Sequence, residues 1–142
     1  MAQHPERQGI LLTHAYLNNN DRRYDITDKA HSQLYNPHKY STPGGVNDGE
    51  ELWQKLVRHH NFFLTLNGHV LGDGTGYLLS TTDTGTRCHQ MLSNFQMRPL
   101  GGEGYLRLLE FTADEKWVRV HTYSPVFDTY LNASDQSFQF RL

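Results

Sequence analysis

The chain has 142 residues, a formal net charge of −2 and a single cysteine, Cys88, which suits one domain over residues 1–142 with a core of its own. The absence of any Lys/Arg run argues against nucleic acid or an anionic membrane as a partner. One cysteine excludes an intrachain disulfide and a cysteine-based zinc cluster, and no apolar stretch approaches the roughly 20 residues that span a bilayer.

Two short apolar runs each end at a histidine. Residues 10–14 read ILLTH and residues 62–69 read FFLTLNGH. Such runs, bounded by turn residues, predict buried strands, and with one helix between them they predict a βαβ unit of two parallel strands. His14 and His69 then emerge at the carboxyl edge of the sheet, where open α/β sheets bind ligands. Two imidazoles at that edge predict a metal or phosphate site.

A long polar segment, residues 16–47, follows the first strand. It has neither a helical nor an alternating apolar period, so we predict a loop with at most a turn of helix near residues 28–34. Loops of this length in compact domains are typically functional or disordered. The aromatic content favours an ordered loop, with tyrosines at Tyr16, Tyr24, Tyr35 and Tyr40.

A helix is predicted over residues 49–59. Asp48 suits its N-cap, and Glu51 follows three residues later, as in a capping box. Apolar residues at i, i+3 and i+4 spacing form a stripe that would pack on the sheet. The stripe contains Leu52, Trp53, Leu56 and Val57.

Beyond residue 68 the chain is punctuated by glycines and has the pattern of strands. Alternating apolar residues predict half-buried antiparallel strands, with a hairpin loop at residues 112–116. The predicted strands span residues 76–81, 86–95, 104–111, 117–123 and 137–142. The fold class is therefore α+β, with one βαβ unit followed by an antiparallel β-sheet.

This architecture leaves apolar surface uncovered. The predicted helix covers one face of the parallel strands, whereas parallel sheets are normally covered on both faces. We expect either a missing part of the sheet or a partner chain to supply the cover. An exposed apolar face also predicts self-association or poor solubility of the isolated chain.

A series of short segments carries a family resemblance. The segments are THAY at 13–16, ELWQKLV at 51–57, LNGHV at 66–70, CHQMLSNFQ at 88–96, GGEGYLRLLEF at 101–111 and TYSP at 122–125. In their order and spacing they resemble the carboxyl-terminal half of a bacterial calcineurin-like metallophosphoesterase. The likeness extends from about residue 9 to residue 142.

The resemblance implies half of a four-layer fold, in which a β-sandwich is flanked by helices. It also implies two divalent metal ions at the carboxyl ends of strands and a phosphoester substrate. In that family a lone His after a strand and the first His of a closing Gly-His-x-His block bind the same metal ion. The resemblance carries these two roles onto His14 and His69.

The chain departs from the family pattern at several ligand positions. Leu71 stands where the second His of Gly-His-x-His is expected, and the Asp-x-His, Gly-Asp and Gly-Asn-His blocks that precede the lone His in the family do not occur before His14. Phosphoester hydrolysis of this kind needs two ions held close together. Two neutral imidazoles can hold at most one zinc or copper ion weakly, with solvent at the remaining positions. We therefore expect no phosphoesterase turnover from the isolated chain.

Other motifs favour structural roles. The GDGTG sequence at 72–76 lacks the lysine and the strand–loop–helix setting of a phosphate loop, so it predicts a turn that includes Asp73. We interpret His89 as a hydrogen-bonded structural histidine, and Trp53 and Trp117 as core residues. Two functions remain: an incomplete metallophosphoesterase-like hydrolase, or a non-catalytic β-rich domain that binds a ligand or partner through its exposed sheet.

Overall fold

The two histidine-ending runs form neighbouring parallel strands. The computed structural model describes residues 3–72 and 74–142. In it β1 (Gly9–Thr13) pairs in parallel with β2 (Phe62–Asn67), and the last residues of the two strands, Thr13 and Asn67, lie opposite each other. The predicted βαβ unit is confirmed, because a helix connects these two strands.

The first sheet contains a third parallel strand. β4 (Arg87–Ser93) pairs in parallel with β2, and β3 (Thr75–Thr81) pairs antiparallel with β4 at the edge, which gives the order β1-β2-β4-β3. The prediction that all later strands are antiparallel is therefore wrong for β4. Its five central residues are all buried, as expected of a strand covered on both faces.

The second sheet is antiparallel throughout, as predicted. β6 (Trp117–Ser124) lies at its centre, with β5 (Leu106–Phe111) along one edge. β7 (Thr129–Leu131) and β8 (Phe138–Arg141) pair with opposite ends of the other edge. The hairpin loop between β5 and β6 is confirmed, whereas the sequence did not predict β7, since three residues are too few to show an alternating pattern.

An apolar core joins the two sheets. It consists of Phe63, Leu64, Met91, Val118, Val120 and Phe140. The expectation that the second face of the parallel strands needs a missing segment or a partner chain is wrong, because the second sheet of the same chain covers this face. The chain is thus a mixed α+β protein with two packed sheets and few helices.

Short helices complete the fold. α1 (Gly49–Lys55) ends earlier than predicted and continues as a 3-10 turn at Val57–His59. Trp53 and Val57 pack with Phe62 of β2 on the outer face of the first sheet. A single turn, α2 (Pro99–Gly102), precedes β5. No helix in the described part of the chain is long and apolar enough to cross a membrane.

Both sheets are open on the same side. β1 is the edge of the first sheet and β5 is an edge of the second. Leu12 of β1 is 77% exposed and Leu108 of β5 is 41% exposed. Leu12 and Leu109 line one cleft of about 550 Å³ between the sheets. Exposed apolar side chains therefore lie at these two edge strands and not on the sheet face that the sequence predicted to be uncovered.

The long segment before α1 is ordered by hydrogen bonds to buried polar groups. Its regular structure is confined to a 3-10 turn at Pro37–Lys39 and a bridge between Leu17 and Arg23. The predicted helical turn near residues 28–34 is wrong, because the Asp28 side chain accepts a hydrogen bond from Ala30 N (2.8 Å) and forms a non-helical turn instead. Side chains that prefer local backbone hydrogen bonds compete with helix formation in this way.

Arg23 anchors this segment to the sheet and to α1. Its Nη1 donates to Gln90 Oε1 (3.1 Å), which also accepts from the Tyr16 hydroxyl (3.0 Å). Arg23 Nε donates to Glu50 Oε2 at 2.6 Å, and the guanidinium lies 4.5 Å from the centre of the Trp53 ring. Because Tyr16 and Gln90 are fully buried, this network fixes where the segment begins.

Asp48 anchors the other end of the segment. Its carboxylate, 1% exposed, accepts hydrogen bonds from Ile26 N (2.7 Å), Asn36 Nδ2 (3.2 Å) and Glu51 N (3.0 Å). Glu51 Oε2 in turn accepts from Asp48 N at 3.1 Å, so the predicted capping box is confirmed. One buried carboxylate therefore caps α1 and holds two points of the preceding loop.

Replacing Asp48 should destabilise the fold strongly. Asp48→Ala removes the helix cap and leaves two further buried donors unpaired, which should lower the free energy of unfolding by about 2–4 kcal/mol. Chemical denaturation measures this loss. Asp114→Ala is the control, because Asp114 makes a comparable turn contact with Lys116 N in the exposed hairpin loop. Equal losses in the two variants would contradict the anchoring role of Asp48.

His89 should make the sandwich sensitive to acid. It is 3% exposed, its Nδ1 bonds the Tyr77 hydroxyl at 2.6 Å, and its ring stacks on Phe140. Burial, followed by the charge of Arg87, lowers the pKa of His89 from 6.5 to about 4. Between pH 6.5 and pH 4 the unfolded chain therefore binds a proton at His89 more readily than the folded chain does. The free energy of unfolding should accordingly fall by up to about 3 kcal/mol as the pH is lowered from 6.5 to 4.

The His89 effect is measurable as the difference in unfolding free energy between pH 7.0 and pH 4.5. His89→Gln cannot titrate and should lose most of that difference, whereas replacing the exposed His4 with Gln should retain it. A pH dependence that survives in His89→Gln would assign the acid sensitivity to other groups.

Candidate functional site

The structure brings His14 and His69 into contact at the carboxyl edge of the first sheet. His14 follows β1 directly, and His69 lies two residues beyond β2. Their ring centroids are 4.1 Å apart with an interplanar angle of 29°. Gly68 N donates to His14 O at 3.2 Å, which ties the two strand ends together. The parallel pairing inferred from the sequence therefore places both imidazoles in one site.

The two imidazoles are free to bind a ligand. Both side chains are exposed, and within residues 3–72 and 74–142 neither ring is hydrogen-bonded to another residue. Partial burial, and next the proximity of His14, lower the pKa of His69. A lowered pKa keeps the imidazole neutral at neutral pH, and the neutral ring offers the nitrogen lone pair that a metal ion needs.

Two tyrosines of the long loop form a wall beside the histidines. The Tyr40 ring centre lies 6.1 Å from both the His14 and the His69 ring centres. The Tyr35 ring meets His69 edge-on at 5.5 Å. Burial raises the pKa of Tyr40, and its hydroxyl oxygen is buried without a hydrogen-bond partner in the described part of the chain. The tyrosines of this loop are apparent in the sequence, but their pattern does not predict that they lie beside the two histidines.

The Tyr40 position depends on the Asp48 anchor. Tyr40 N donates to Pro37 O at 2.9 Å and so ends the 3-10 turn Pro37–Lys39. Asn36 caps this turn through its side-chain oxygen, while its Nδ2 donates to Asp48 at 3.2 Å. Hydrogen bonds through Asn36 and Asp48 therefore connect Tyr40 to the start of α1.

His69 has a strained backbone. Its φ angle is 61°, in the left-handed region that costs a residue with a Cβ roughly 1–2 kcal/mol. Val70 N donates to Gly68 O at 2.7 Å and closes a three-residue turn around His69. Strain of this kind concentrates at functional sites, where surrounding structure holds it in place.

A second group of ligand-type side chains lies on the loop–helix contact. One ligand atom from each of His38, Asp48 and Glu51 falls within 4.8 Å of the others. His38 Nε2 bonds Glu51 Oε2 at 2.6 Å, and Asp48 caps α1. The Lys55 ammonium and next the Asp48 N–H hold the pKa of Glu51 at about 2. Every member already has a protein partner, so this group is structural.

The remaining sequence interpretations have mixed outcomes. His89 is a buried structural histidine and Trp53, 6% exposed, is a core residue, as predicted. The same prediction is wrong for Trp117, which is 37% exposed because it faces outward at the start of β6. Leu71 O accepts from Asn19 Nδ2 at 3.5 Å, so the loop that contains Leu71 packs on the segment after β1. The interpretation of Asp73 lies outside the described residues.

Comparison with known proteins places the chain inside a longer relative. It is 31% identical over 150 aligned residues to "Uncharacterized protein YvnB" of Bacillus subtilis (strain 168), and the alignment covers 100% of this chain and 10% of the relative. The chain therefore spans about a tenth of the length of that protein. No family model matches the chain, and no solved structure matches it.

The strain at His69 predicts an unusual stability order. Glycine adopts a positive φ without steric cost, so His69→Gly should be more stable than His69→Ala by about 1 kcal/mol. Thermal or chemical denaturation of the two variants measures the difference. His14→Gly and His14→Ala supply the control, since His14 is not among the residues with positive φ. A less stable glycine variant at position 69 would contradict the strain.

Proposed function

We propose that this chain is the carboxyl-terminal part of a metallophosphoesterase-like hydrolase domain, incomplete and inactive on its own. In this proposal His14 and His69 supply two imidazole ligands to one metal ion. The observation that carries it is the contact between two exposed, unpaired imidazoles at the carboxyl ends of adjacent parallel strands. The order and spacing of the family-like segments add independent support.

The donor set fits a divalent transition metal. Neutral imidazole is a preferred ligand of zinc and of related ions, and the lowered pKa of His69 favours that neutral form. The rings are stacked, with centroids 4.1 Å apart and 29° between their planes. Because an imidazole nitrogen binds a metal ion in the plane of its ring, at least one ring has to turn before both can bind one ion. Two protein ligands leave further positions to be filled, so we expect one weak site.

The open side of the sandwich supports the idea of an incomplete domain. Within the described residues both β1 and β5 present unpaired edges there, with exposed Leu12 and Leu106 beside an apolar cleft. Exposed edges flanked by apolar side chains favour pairing with further strands. In the proposal this side receives the amino-terminal half of the domain, and the isolated chain self-associates through the same surface.

The residues of this chain have a limited part in the proposed chemistry. Bound divalent ions supply Lewis-acid polarisation of the phosphoester. His14 and His69 bind and orient, and the tyrosine wall of Tyr35 and Tyr40 excludes water from one side of the pair. The remaining ligands of the family, with the groups that handle the phosphoryl oxygen atoms, have no counterpart in this sequence.

A second candidate is a non-catalytic binding domain. The outer face of the second sheet favours it, because Tyr130, 52% exposed, packs on Tyr123 at 4.7 Å between ring centres. A shallow groove that includes Leu108, His121 and Asp128 lies beside this pair. Exposed aromatic residues on a sheet face are typical of recognition surfaces.

The proposal predicts metal binding without turnover. Zinc titrated into the isolated chain by calorimetry should bind, and the His14→Ala, His69→Ala double variant should lose that binding. With manganese and a chromogenic phosphodiester, the wild type and the double variant should hydrolyse the substrate at the same background rate, because the second metal site is incomplete. His59→Ala, His60→Ala is the matched control and should retain zinc binding, since both residues lie at the end of the 3-10 turn after α1.

Each outcome separates the two candidates. Zinc binding that survives in the His14/His69 double variant, or no binding by the wild type, would overturn the metallophosphoesterase proposal and favour the non-catalytic domain. Manganese-dependent hydrolysis lost in the double variant would support the family and show that the site is more complete than proposed.

A further inference from the structure

A tyrosine with a buried, unpaired hydroxyl lies beside two solvent-exposed imidazoles at the histidine pair. The imidazoles of His14 and His69 have no hydrogen-bond partner in the described residues. The Tyr40 hydroxyl oxygen is buried and equally unpaired, although its ring lies 6.1 Å from both imidazoles. Leaving a buried hydroxyl unpaired lowers the stability of the fold, so a phenylalanine would suit position 40 better if only packing mattered.

A histidine that binds a metal ion through one ring nitrogen needs an acceptor for the other. In metal sites the second ring N–H is almost always donated to a carboxylate, a backbone carbonyl or water, which fixes the tautomer and the ring orientation. The described part of the chain offers His14 and His69 no such acceptor as the rings now lie. Tyr40 carries a hydroxyl oxygen without a partner in the described residues, on a ring whose centre lies 6.1 Å from both imidazole centres.

We propose that Tyr40 is a positioning residue for the histidine pair. When a metal ion binds one nitrogen of His14 or His69, that ring turns out of its stacked arrangement and donates its other N–H to the Tyr40 oxygen. This inference rests on the proposed metal site and adds a residue that the family-like segments do not contain. Because Tyr40 is neutral, it accepts this bond and keeps its own proton.

The scaffold around Tyr40 suits this role. A positioning group has to be rigid, and Tyr40 ends a 3-10 turn that Asn36 caps and that Asp48 holds through buried hydrogen bonds. Tyr35 provides the contrast within the same loop. Its ring also contacts His69, at 5.5 Å, but its hydroxyl is not among the buried unpaired groups.

The test compares Tyr40→Phe with Tyr35→Phe for zinc affinity and for stability. Removing the hydrogen-bond acceptor of a metal-bound histidine typically weakens metal affinity by about 10–100-fold, so we expect a loss of that size for Tyr40→Phe and near wild-type affinity for Tyr35→Phe. The zinc-free Tyr40→Phe protein should be at least as stable as wild type, because it no longer buries an unpaired hydroxyl. A purely structural tyrosine would lose stability and affinity together.

Nuclear magnetic resonance of the histidine rings supplies the direct signature. In the zinc-loaded wild type, one ring N–H of His14 or His69 should become protected from exchange, and Tyr40→Phe should lose that protection. Unchanged zinc affinity and ring signals in Tyr40→Phe would overturn the role of Tyr40 and leave the metal site intact. Failure of the wild type to bind zinc through the histidine pair would overturn both the site and the role.

Discussion

The buried carboxylate of Asp48 is the constraint on which the rest of the structure depends. It accepts hydrogen bonds from Ile26, Asn36 and Glu51, so the start of α1 and two distant points of the loop share one anchor. A long polar segment without regular structure loses much conformational entropy when it becomes ordered. Buried hydrogen bonds to one charged group offset that loss, and they set the loop against the sheet edge.

The anchored loop couples the stability of the fold to the geometry of the site. The chain of contacts runs from Asp48 through Asn36 to Tyr40, whose ring lies against His14 and His69. Two features of the site oppose stability: the left-handed backbone of His69 and the unpaired Tyr40 hydroxyl. Local violations of this kind are typical of sites where function, and not packing, selects the residue.

Both faces of the first sheet are covered by other elements, whereas its edge at β1 is open within the described residues. α1 covers one face and the second sheet covers the other, so the central parallel strands β2 and β4 are largely buried, as such strands normally are. The edge at β1 has no such cover, and neither does the adjacent edge at β5.

The sequence by itself determined the local elements and the meeting of the histidines. Apolar runs defined β1 and β2, the Asp48–Glu51 capping box fixed the start of α1, and parallel pairing then required His14 and His69 to share an edge. Only the tertiary structure decided that β4 lies parallel to β2, that the second sheet covers the first, and that Tyr40 faces the histidines. These features depend on contacts between residues far apart in the chain, which periodicity and local propensity do not encode.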